Sequence, residues 1–109
     1  MTINVERDYE LVVLEITGRL DTTTAPNLDT VINELSEDTK ELVLDMGGLE
    51  YISSAGIRVV LSAYKKMMSN KGIMRITKAN EMVRDVFEMT ELLELLDEAW
   101  WIEVGSDDW

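Results

Sequence analysis

Apolar residues recur along this chain in two alternating periods. Ile3 and Val5 alternate with polar neighbours, the period of a strand with one buried face. Tyr9-Glu10 reads as a turn. Leu11-Val12-Val13-Leu14-Glu15-Ile16 is rich in β-branched residues and nearly continuous, which predicts a second strand that stops at Gly18 and forms a hairpin with the first. Asp21-Thr22-Thr23-Thr24 supplies capping oxygens, and Pro26 suits the first turn of a helix. Ala25, Leu28, Val31, Ile32 and Leu35 then lie on one stripe of that helix, which Ser36-Glu37-Asp38 is expected to close. The unbroken run Leu42-Val43-Leu44 predicts a central strand covered on both faces.

Beyond position 56 the helical period returns. Ile57, Val60, Leu61, Tyr64 and Met68 mark an amphipathic helix, and Gly72 is placed to end it. Ile73, Met74 and Ile76 predict a fourth strand. Asn80 is a cap for a helix carrying Val83, Val86 and Phe87. Leu92, Leu93, Leu95 and Leu96 predict a short helix, Trp101-Ile102-Glu103-Val104 a final strand, and Gly105 to Trp109 a loose tail. The order β-β-α-β-α-β-α-α-β is that of an α/β fold. Strands separated by helices form parallel pairs through right-handed crossovers, so one sheet covered by helices is expected. Met67, Met68, Met74, Met82 and Met89 fit core positions at these spacings, and an adaptable binding surface is their other reading.

Length bounds this picture to one domain over residues 1–104, followed by the tail 105–109 of a 109-residue chain. Cysteine and histidine are absent, which excludes thiol and imidazole catalysis, disulfides, and the ordinary zinc sites. The formal net charge of -12 repels phosphate backbones and anionic lipid, so neither nucleic acid nor membrane insertion is expected; a basic partner would associate faster. Simple solubility is the plainer reading of the same acidity. The opening residues lack the basic start and apolar stretch of a secretion leader, so a cytoplasmic protein is expected.

Tyr51-Ile52-Ser53-Ser54-Ala55-Gly56-Ile57 reads as a loop feeding a helix, and one of its serines is suited to cap that helix. Ser54 has two readings. It is a cap and nothing more, or it carries a phosphate that faces free N–H groups and the positive end of the helix dipole. Arg58, one turn on, is either solvated, partner-facing or a screen for such a phosphate. Gly47 and Gly48 lack the Lys-Ser or Lys-Thr ending of a nucleotide loop, and are expected to permit a turn before Leu49. Asp21 and Asp45 serve as turn and capping carboxylates or shape an acidic site. Acid–base catalysis by them lacks a nucleophile and a cofactor motif.

The run Asp45-Met46-Gly47-Gly48-Leu49-Glu50-Tyr51-Ile52-Ser53-Ser54-Ala55-Gly56-Ile57-Arg58-Val59-Val60-Leu61 resembles the signature loop and helix of anti-sigma-factor antagonists, the STAS family. Thr17-Gly18-Arg19-Leu20-Asp21 resembles the family's turn after its second strand, and the stretch from Ala79 to Leu96 its closing helices. The resemblance implies a mixed sheet with helices mainly on one side. It implies phosphorylation at Ser54, with Ser53, where the family commonly has aspartate, as second candidate. Asp21 and Asp45 match family positions at strand ends beside the switch loop. The implied docking face comprises Asp21, Asp45, Tyr51, Ile52, Ser53, Ser54, Gly56 and Arg58. The implied function is a monomeric binding switch, not an enzyme, with no cofactor and no metal. Unphosphorylated, it holds an anti-sigma factor that is also a serine kinase; a serine phosphatase restores that state. Two rivals share the resemblance: an accessory subunit of a membrane lipid transporter, and a scaffold of a pathway without a sigma factor.

Overall fold

The computed structural model describes residues 1–89. It contains β1 (Thr2–Asp8), β2 (Leu11–Leu20), α1 (Ala25–Asn33), β3 (Glu41–Ile52), α2 (Ser54–Ser69), β4 (Ile73–Thr77) and α3 (Glu81–Met89). The helix expected at Leu92 to Leu96, the strand at Trp101 to Val104 and the tail lie outside the described residues.

The strands stand in the order β1-β2-β3-β4. β1 is antiparallel to β2, while β2–β3 and β3–β4 are parallel. Each parallel step moves the same way across the sheet. Right-handed crossovers therefore place α1 and α2 on one face. Beneath them lie Leu14, Ile16, Leu20, Leu42, Leu44, Met46 and Ile52, all fully buried, and Val83 and Phe87 of α3 join the same core. The other face carries Leu11, Val13 and Val43 only half-buried, so the described helices cover one side of β3 and not both.

Five expectations change. β1 is an edge strand beyond the reach of the helices: Ile3 is half-buried and Val5 is 40% exposed, in place of a buried face. β2 does not stop at Gly18. That residue takes φ +94 at a register shift, and pairing resumes to Leu20. The extended β2 gives β3 a partner as far as Ile52, so the segment expected as loop is strand. Gly47 and Gly48 lie within it and make no turn; a Cβ on Gly48 would stand 2.6 Å from the Thr17 side chain. The buried stripe of α2 is rotated towards Ile57, Val60, Ala63 and Met67, which leaves Met68 59% exposed.

The end of the molecule where α1 and α2 finish is tied by side chains. Lys66 Nζ donates to the carbonyls of Ile32 (2.8 Å) and Asn33 (3.1 Å), closing α1 against its negative pole. Lys40 Nζ donates to Asn70 O at 2.6 Å, and buried Asn70 donates to Ser36 O and Thr39 O, each at 3.2 Å. Lys71, with φ +61, supplies the left-handed residue that ends α2, and Gly72 N–H bonds back to Met67 O at 2.8 Å. The helix ends at Ser69, and the left-handed position that follows it falls on Lys71, one residue before the glycine expected to stop it.

Candidate functional site

The opposite end is where β2 and β3 finish and α1 and α2 begin. Parallel pairing brings Arg19 beside Tyr51 and Leu20 beside Ile52, and Ser53 N–H donates to Leu20 O at 2.9 Å. Asp21 and Ser53 follow these paired ends, so both helices start from one edge. In open α/β sheets this carboxyl edge is the usual place for recognition.

The two serines take different roles. Ser53 is extended (φ -98, ψ 173) and is the N-cap of α2, its Oγ accepting from Gly56 N–H at 3.4 Å. Ser54 is the first residue of the helix and is exposed, and its hydroxyl makes no side-chain hydrogen bond among the described residues. The capping role considered for Ser54 therefore belongs to Ser53. An N-cap needs non-helical backbone, and only Ser53 has it. The first turn of α2 holds no acidic residue.

Asp21 organises the start of α1. Its Oδ1 accepts from the N–H groups of Thr23 (3.0 Å) and Thr24 (3.1 Å), and its own N–H donates to Thr24 Oγ1 at 2.9 Å. Thr24 precedes the helix but makes no side-chain cap bond, so Asp21 serves these donors from further upstream. The Thr24 N–H, first among several hydrogen bonds, holds the Asp21 carboxyl below its ordinary pKa; desolvation opposes this, and Arg19, 3.9 Å away, adds a smaller pull. The Arg19 guanidinium also lies over the Tyr51 ring, 4.3 Å from its centroid. Arg19 was not among the expected site residues. A strand register that joins distant segments creates its contact, and no local pattern signals it.

Not every expected residue faces outward. Ile52 is fully buried in the core. Gly56 is buried too, and a Cβ there would stand 2.7 Å from Leu20 Cγ and 2.9 Å from Ile52 Cγ1. These two hold the first turn of α2 against the sheet and present nothing to a partner directly. Asp45 stands within β3 beside the end of β4, its side chain bonded to Gly47 N–H (2.9 Å) and paired with Lys78 (3.5 Å). The β2 partners of Asp45 and Ile52, Glu15 and Leu20, are five strand steps apart, so at ~3.3 Å per step Asp45 lies about 16 Å from Ile52. The structure therefore brings together Asp21, Tyr51, Ser53, Ser54 and Arg58, and leaves Asp45 apart.

A shallow groove runs from this edge between α1 and α2, lined by Thr22, Ala25, Pro26, Asp29, Arg58 and Val59 among others. Arg58 is exposed, and no hydrogen bond or ion pair engages it among the described residues. No group of side chains suited to a metal occurs among the described residues, and none of their helices is long and apolar enough to cross a membrane.

The STAS domain family matches residues 2–105. BtrV of Bordetella bronchiseptica, a provisionally named anti-sigma factor antagonist, is 28% identical over 96 residues, covering 87% of this chain and 83% of its own. The anti-sigma-B factor antagonist of Staphylococcus aureus is 24% identical over 102 residues, 88% of this chain and 92% of that one. Among solved structures, the anti-sigma factor antagonist SpoIIAA in its unphosphorylated form superposes with a TM-score of 0.65 at 19% identity, covering 82% of this chain and 84% of its own. The phosphorylated form of SpoIIAA from Bacillus gives 0.64 at 19% identity over 91% of this chain and 87% of its own. Likeness at these identities shows the fold.

Proposed function

We propose, on the premise that the chain belongs to the STAS domain family, that it is an anti-sigma factor antagonist switched by phosphorylation of Ser54. Unphosphorylated, it acts as a monomeric cytoplasmic binding module for an anti-sigma factor that is itself a serine kinase, and so frees a sigma factor. The names of its relatives support the partner class. The observation that carries the switch is the division between the serines: the exposed Ser54 hydroxyl is unengaged, while Ser53 takes the cap.

In the forward step Ser54 Oγ attacks the γ-phosphoryl group of ATP on the kinase. The hydroxyl proton passes to a base of the kinase, and ADP leaves. In the reverse step a serine phosphatase uses water to restore the hydroxyl and release inorganic phosphate. A phosphate on Ser54 adds roughly -1.5 to -2 charge and three acceptors at a helix start, where free N–H groups and the dipole favour an anion. No hydrogen bond of the Ser54 hydroxyl has to break for this, so the fold persists while the docking edge changes charge and bulk. The docking face is formed by Asp21, Tyr51, Ser53, Ser54 and Arg58, with Ile52 and Gly56 beneath it.

The test is incubation with the serine-kinase anti-sigma factor of the same organism and ATP, followed by localisation of phosphate by mass spectrometry. Modification at Ser54 is expected, and modification at neither Ser54 nor Ser53 would sink the proposal.

A further inference from the structure

We infer that Arg58 is the internal counter-ion of a phosphate on Ser54, so that phosphorylation withdraws a cation from the α1–α2 groove while it adds an anion. This deepens the switch proposed above and rests on it. Ser54 and Arg58 stand four residues apart in α2, both exposed. Side chains at that spacing are neighbours, and an anion one turn N-terminal to a cation is the favourable order.

Neither group has another commitment. The Ser54 hydroxyl is unengaged, and no carboxylate of the described residues pairs with Arg58, although Asp29 lines the same groove. The other arginine near this edge is differently placed: Arg19 lies over Tyr51 and beside Asp21. A guanidinium offers two parallel N–H donors to a phosphate, a fit that an ammonium lacks.

The unphosphorylated protein then presents Arg58 beside the apolar side chains of Ala25, Pro26 and Val59. Such a surface suits a partner whose contact centres on an apolar side chain with a carboxylate beside it. Phosphorylation draws the guanidinium back along its own helix to Ser54. The partner's carboxylate then loses its cation and meets a phosphate one turn away.

The test installs phosphoserine at position 54 during translation, so that it does not depend on any kinase. The second ionisation of the phosphate, near pH 6 for a free group, is followed by phosphorus NMR in the native sequence and in Arg58→Gln. The α2 N-terminus acts equally in both proteins, so their difference isolates Arg58. A cation favours the dianion, so the native ionisation is expected about 0.2–0.4 pH units below that of Arg58→Gln, with Arg58→Lys between them. At about 1 M salt, where screening acts within ~3 Å, the difference is expected to collapse. Equal values at low salt, or a difference that persists at high salt, would overturn the inference. Neither result bears on whether a kinase modifies Ser54, which mass spectrometry decides separately.

Discussion

Where α1 and α2 end, three side chains are committed to backbone carbonyls: Lys66 to Ile32 and Asn33, Lys40 to Asn70, and Asn70 to Ser36 and Thr39. Where the same helices begin, Ser53 caps α2 through one long bond, and Ser54 and Arg58 stand exposed and unengaged. Both edges face the same physical problem, helix termini with unpaired backbone groups. One edge solves it with buried and half-buried polar side chains. The other solves part of it and leaves a hydroxyl and a guanidinium beside free N–H donors. The lesson is that a hydroxyl open to modification can be recognised by what a structural edge would have used and this one has not.

The largest effect is expected at the tied edge. Asn70→Ala removes a buried donor from two carbonyls, an expected loss of about 2 kcal/mol. For a domain of this size that lowers the thermal midpoint by roughly 10 °C, while partner affinity at 20 °C stays within a factor of two. Lost binding without lost stability would break the comparison. Ser53→Ala comes next. Loss of the cap is expected to cost about 1 kcal/mol, followed as a fall in the urea midpoint. Phosphorylation at Ser54 is expected to continue in that variant; if it stops, the cap and the acceptor are not separate roles.

The smallest effect concerns Asp21. Its pKa is lower folded than unfolded, so the carboxylate contributes stability above its unfolded pKa and loses it as pH falls through the folded value. The gap in thermal midpoint between native protein and Asp21→Asn is therefore expected to be present at pH 7 and to shrink steadily below about pH 4. A gap independent of pH would mean that Asp21 acts through shape and not charge.

Much of this was legible in the sequence, because local rules govern it. Leu28 and Ile32, Val60, Ile76, Val83 and Phe87 lie in the core as their spacing predicts, and Asn80 Oδ1 accepts from Val83 N–H at 2.8 Å as a cap should. The element order held from β1 to α3. What failed depended on distant partners. Gly47-Gly48 reads as a turn until the extended β2 supplies the pairing that makes it strand. A run of two serines offers two equally good caps until the backbone angle of Ser53 decides between them. The Arg19–Tyr51 stack depends on the register of two strands, and Asp45, expected at a strand end beside the switch loop, lies inside β3, seven residues before its end at Ile52.

The central claim is that Ser54 is free to be modified because nothing at its edge depends on it. It is tested most directly by titrating the anti-sigma partner with the protein in its unphosphorylated and its stoichiometrically Ser54-phosphorylated forms. The phosphorylated form is expected to bind at least tenfold more weakly. Equal affinity of the two forms would contradict it.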